Sequence, residues 1–160
     1  MKDFSLGRLL IAASVVFISA CSTYAPAPSL IGQSVEQVRA QLGPPTSQAA
    51  DRLVYARGPY GRHTWFLTLD GAGKVQAIDQ RLREDVFAQI VPEMPQARVL
   101  DLLGPPSEQQ KLARERGMIW SWRYENHQCL WFQVEMTEAH QVRSAGYGQP
   151  PECNAPDWSF

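Results

Sequence analysis

Long hydrophobic runs are what this chain most nearly lacks. Its one extended apolar stretch, Leu9–Ala20, is too short for a comfortable membrane span. Cysteine is scarce, with three in 160 residues, which excludes a densely cross-linked scaffold. Charge of one sign is missing as well: 15 basic and 16 acidic residues leave a formal net charge of −1. That balance offers neither the basic face that nucleic acid requires nor an electrostatic grip on anionic lipid. Catalytic and cofactor motifs are absent too: no Gly-rich phosphate loop, HExxH, GxSxG or CxxC occurs. His63, His127 and His140 fall beside expected turns, and "HQC" at His127–Cys129 has no second ligand pair to make a metal site. Asp70, Asp79, Glu135 and Glu138 show no pairing pattern. The expectation is a non-catalytic protein without cofactor or metal.

What is present begins at the N-terminus. Lys2 and Arg8 precede the apolar run, the layout of a secretory signal. The run closes on "ISAC", Ile18–Cys21, which resembles the lipobox of bacterial lipoproteins. That resemblance implies cleavage before Cys21, lipid on its thiol, and, with Ser22 following, sorting to the outer membrane. Residues 1–20 are then the signal and 21–29 a small, Pro-rich tether. The two remaining cysteines, Cys129 and Cys153, read as a disulfide in an oxidising periplasm.

The word "LGPP" occurs twice, at Leu42–Pro45 and Leu103–Pro106. Each time an apolar stripe precedes it: Val35, Val38 and Leu42 in one, Val99, Leu102 and Leu103 in the other. Ser34 and Gln37 form a capping-box pattern ahead of the first stripe, and Pro95 suits the opening turn of the second. The glycine can take a left-handed stop conformation, and the prolines forbid continuation. A further short helix is expected at Glu84–Ile90. After each stop come alternating, β-rich stretches, "RLVYARGP" and "RHTWFLTLDGAGKVQAIDQRL", then "GMIWSWRYE" and "QCLWFQVEMTEAHQVRSAGYG". The later copy also holds "SEQQKLARERG", readable as an additional helix.

The order of short helix, helix, LG-x-P stop, Trp/Tyr strand and alternating strands resembles the SmpA/OmlA group. These are the BamE-like small lipoproteins of the outer-membrane β-barrel assembly machinery. The resemblance implies an α+β fold; the recurrence makes it two tandem units, 30–82 and 83–148, followed by a tail at 149–160, where the assembly lipoprotein carries one unit. Each unit would be a helix and then a three-stranded antiparallel sheet, with the helices packed on one sheet face. Tandem units of this shape also resemble secreted β-lactamase-inhibitor proteins. The implied role is an outer-membrane-anchored, periplasm-facing binding or scaffold subunit, in outer-membrane protein assembly or envelope integrity. Its partner would be a protein of the outer membrane or periplasm, the barrel-assembly machinery among them. The alternatives are an inhibitor-like module and an enzyme without a recognisable motif.

Strand alternation assigns the faces. Trp120, Trp122 and Tyr124 share one phase and should be core, as should Leu130, Phe132, Val134 and Met136, and Trp65, Leu67 and Leu69. Phe66 and Trp131 then point the other way, at what reads as equivalent positions on polar faces. An exposed aromatic there would be a partner contact; otherwise the tether, the tail or the other unit covers it.

Overall fold

The computed structural model describes residues 24–112 and 116–153. It is an α+β structure with two four-stranded antiparallel sheets, ordered β1-β2-β3-β4 and β5-β6-β7-β8. The strands are β1 (Ser47–Ala49), β2 (Arg52–Arg57), β3 (His63–Leu69) and β4 (Val75–Gln80), then β5 (Glu108–Lys111), β6 (Met118–Arg123), β7 (Trp131–Met136) and β8 (Val142–Gly148). Helix α1 (Val35–Leu42) precedes the first sheet; α2 (Glu84–Phe87) and α3 (Gln96–Leu103) precede the second. Among the described residues no helix is long and apolar enough to cross a membrane.

Local chemistry sets the helix ends. The Ser34 hydroxyl accepts from the Gln37 amide while the Gln37 side chain accepts from the Ser34 amide, so the capping box closes in both directions. Pro95 is the N-cap of α3 and not its first helical residue. Gly43 (φ 80°, ψ −169°) and Gly104 (φ 76°, ψ −170°) end α1 and α3 in one shared conformation. With ψ near 180° this is not the left-handed helical region but an extended one that essentially only glycine occupies.

The two units share details that the sequence shows only faintly. An isolated bridge ties the helix entry to the last hairpin in each, Ser34 to Lys74 and Pro95 to Gln141. The β3–β4 and β7–β8 ladders each shift register after the third-strand residue, at Thr68/Leu69 and Glu135/Met136. "DGAG" and "TEAH" make the same turn: Gly73 donates to the Asp70 carbonyl, and His140, at φ 58°, donates to that of Thr137. In each unit one core aromatic reaches the helix stop. The Tyr55 hydroxyl donates to the Gly43 carbonyl at 3.1 Å, and the Trp122 indole N–H donates to the Gly104 carbonyl at 3.2 Å.

Two expectations are corrected. Each sheet has four strands and not three, because the segment after each GPP stop pairs as an edge strand. "SEQQKLARERG" is accordingly no helix in its first part: Glu108–Lys111 forms β5, in register with Ser121–Met118. Pairing with β6 overrides the helical propensity of Glu, Gln and Lys. The turn between the first two strands is longer in the second unit, and there the copies differ most.

Each unit keeps a core between helix and sheet. Leu30, Val38, Leu53, Tyr55, Leu67, Leu69 and Val75 form the first. The second is larger and aromatic, holding Phe87, Trp120, Trp122, Tyr124 and Phe132 together with Val99, Leu103 and Val134. Phe87 of α2 stacks on Phe132 at 4.3 Å and meets Tyr124 edge-on at 5.0 Å.

Candidate functional site

The sheet faces turned away from these cores are where the expected contact residues lie, and both faces are covered. Phe66 is only 5% exposed and Trp131 only 7%. As exposed partner contacts Phe66 and Trp131 are therefore corrected, and the alternative, cover by the other unit or the tail, holds. Their equivalence is corrected as well. The register shifts align Leu69 with Met136, which pairs Phe66 with Gln133 and Thr64 with Trp131.

Phe66 lies beneath the end of α3. A β-carbon at Gly104 would sit 2.9 Å from Thr64 Cγ2 and 3.3 Å from both Phe66 Cε1 and Val54 Cγ1. The absence of a side chain at Gly104 thus lets the helix end touch the first sheet. Two arginines complete the contact. Arg81 donates through Nε to the Leu102 carbonyl at 2.9 Å, and Arg52 donates to the Asp101 carbonyl at 3.2 Å and to its carboxylate at 2.6 Å. Both guanidiniums also lie 5.2 Å from the centroid of the Phe66 ring. Positive charge placed on the last carbonyls of a helix satisfies acceptors that have no partner within it and complements its dipole.

Trp131 belongs to a second cluster, centred on Arg123. Arg123 is 7% exposed, and its guanidinium lies 4.9 Å from the Trp131 ring and 4.8 Å from the ring of Tyr60, which comes from the first unit. Glu152 of the tail accepts from it at 2.6 and 3.0 Å, and Glu108 accepts at 3.4 Å. The hydrogen bond from Arg123 holds the Glu152 carboxyl below its ordinary range, although burial opposes this. Cys129 and Cys153 form a disulfide-capable pair, with Cα atoms 6.3 Å apart, that ties the tail beside Glu152 to the residues just before β7. Trp131 also lies across its cross-strand partner Gly148, where a β-carbon would come within 2.9 Å of the indole nitrogen.

A third feature is apolar. The segment entering the first unit does not hang free: Tyr24 stacks on His63 at 5.3 Å, and Pro26 is buried. Between this segment and the first sheet runs a groove of about 630 Å³, lined by Ala25, Pro26, Pro28, Ile31, Trp65 and Ile78 among others. Cys21 lies outside the described residues.

The histidines do not converge. His63 faces Glu125 at 3.5 Å, and His140 pairs through Nδ1 with the Gln96 side chain at 2.8 Å. Among the described residues no group of three or more His, Cys, Asp or Glu could hold a metal ion. Burial first, and then the Glu84 carboxylate, push the Tyr124 hydroxyl up to about 12, a neutral core phenol at any physiological pH. Sequence reasoning missed Arg52, Arg81 and Arg123. Each occupies or flanks an outward strand position, and nothing in the local pattern says that another part of the chain will cover it.

No family model matches the chain, and no curated protein matches it. Several solved structures are similar. One, described as the osmotically inducible lipoprotein OsmE, is 24% identical, with a TM-score of 0.37, over 43% of this chain and 75% of its own. The DUF4309-family protein YjgB of Bacillus subtilis is 10% identical, with a TM-score of 0.29, over 78% of this chain and 84% of its own. An extracellular protein of Bacillus anthracis containing an SCP domain is 11% identical, with a TM-score of 0.29, over 88% of this chain and 50% of its own.

Proposed function

We propose that the chain is a lipoprotein of the bacterial envelope, acylated on Cys21 and facing the periplasm from the outer membrane. In this reading it is a non-catalytic binding or scaffold subunit, made of two BamE-like units, in outer-membrane protein assembly or envelope integrity. One observation carries it: a lipobox-type cysteine leads, within a few residues, into two four-stranded units of one plan. The joint supports the reading further. Phe66, Gly104, Arg52 and Arg81 make the two units present a combined surface instead of two independent ones.

Mass spectrometry of protein extracted from membranes tests the anchor. The mature chain should start at an acylated Cys21; a chain beginning at Met1, or an unmodified cysteine, would refute the assignment. Crosslinking the lipidated protein in intact cells tests the role. Recovery of barrel-assembly components is the expected result. Recovery of one soluble periplasmic enzyme instead would replace the scaffold role with an inhibitory one.

A further inference from the structure

The groove beside the entering segment is unlike anything in the second unit, and the difference suggests what fills it. Where the second unit has Phe132, the first has Trp65. Phe132 is covered by Phe87 of α2, stacked at 4.3 Å. In front of Trp65 the described residues supply only Ala25, Pro26, Ala27 and Pro28, whose side chains are too small to fill the same space. The lining has no charged group, and Ile31 at its edge is 49% exposed. Such a trough suits an occupant that is apolar, slender and not part of the described chain.

We infer that the groove seats one acyl chain of the lipid carried by Cys21. This rests on the acylation proposed above. Position argues for that occupant. The stack on His63 fixes Tyr24, and Cys21 lies three residues upstream, within roughly 11 Å of fully extended chain. The lipid-bearing residue is thus tethered close to one end of an apolar trough. Moving a hydrocarbon chain from bilayer to groove exchanges one apolar surrounding for another, whereas leaving it in water is unfavourable. Because that exchange is close to neutral, the short tether to Cys21 is what favours the groove inside a membrane as well as outside it.

The test uses the full-length lipoprotein made in cells fed a diazirine-bearing fatty acid, purified, and placed in vesicles of unlabelled phosphatidylethanolamine and phosphatidylglycerol. Illumination should join the acylated N-terminal peptide to the peptides containing Trp65 and Ile78. Ala27→Phe, which supplies the missing ring, should lower that yield several-fold. A labelled Cys21 lipid that crosslinks only to vesicle phospholipid, or to surface positions without preference, overturns the groove assignment while leaving the anchor intact. An unacylated Cys21 overturns both. Should Ala27→Phe fail to fold, the crosslink map of the unaltered protein decides alone. A reciprocal arm carries the diazirine on the vesicle phospholipid and none on the protein. Preferential labelling of Trp65 and Ile78 there would identify the groove as a site for free lipid and overturn the assignment to Cys21.

Discussion

On the first sheet, the face away from the helix carries Val54, Thr64 and Phe66; on the second, the same positions are Ser121, Trp131 and Gln133. The helix entries, glycine stops, last hairpins and register shifts match between the units, so the backbone plan is not what separates them. What separates them is their neighbour. The first face meets the end of α3 and is apolar at its centre, with arginines only at the rim. The second meets a short tail and, through Tyr60, a loop of the first unit; it is polar, organised by one buried guanidinium. A shared backbone therefore fixes where side chains point, while the neighbour decides which chemistry that direction needs.

Trp122→Ala should have the largest effect on this comparison. The indole is fully buried and donates to the Gly104 carbonyl, so its removal should cost about 3–5 kcal/mol. The conservative Tyr55→Phe in the first unit, which removes only the matching donor, should cost about 1 kcal/mol. Chemical unfolding of both variants measures this. An unaffected Tyr55→Phe would mean the two stops are not held alike.

Next comes Phe66→Ala against Gln133→Ala, the same position in the two sheets. The first should lose roughly 3 kcal/mol because it empties the contact between units. The second should lose about 1 kcal/mol or less, the worth of its bond to Ser121. Equal losses would show that the Phe66 face is not an internal joint. The glycine stops give a finer measurement. Gly43→Ala and Gly104→Ala should both incur about 1–3 kcal/mol of backbone strain. Only Gly104→Ala adds roughly 1–3 kcal/mol of crowding, since nothing lies within 4 Å of a β-carbon at Gly43. Matching thermal midpoints for the two variants would contradict the close approach at Gly104.

The smallest effect concerns the tail. Because the folded structure holds the Glu152 carboxyl below its ordinary value, its contribution is present above the usual glutamate pKa of about 4.3. It is lost as pH falls through the lowered folded value. Glu152→Gln should cost about 0.5–1 kcal/mol at neutral pH, a figure discounted for the partly solvated carboxylate. The gap between variant and wild-type melting temperatures should then close on acidification. A gap that is constant from neutral to strongly acidic pH would show that the carboxylate's charge has no part in holding the tail.

The sequence revealed most where structure is local. The Ser34–Gln37 box and the two glycine stops depend on residues within one turn, and their chemistry has few alternatives. Strand phase was legible too, since Trp120, Trp122, Phe132 and Val134 all lie in the core. β1 and β5 were not, because "SQA" and "EQQK" are short, polar and largely exposed, and become strands only by pairing with a neighbour. Alternation places Phe66 and Trp131 in the outward phase correctly, but it cannot tell an exposed aromatic from one covered by another part of the chain, which both are. Outward from one sheet is not outward from the molecule when a second unit and a tail lie across it.

The contact between the units is head-to-tail: a helix end on one sheet's outer face. Such contacts have no built-in stopping point, and copies joined in this way form rings or open filaments. Among the described residues nothing crowds the helix end at Gly43, at one terminus of the pattern. At the other terminus Glu152, Arg123, Trp131 and the Cys129–Cys153 pair occupy the landing site. In the language of repeat proteins the described part of the tail lies where a capping element would, over the face that a further helix end would need.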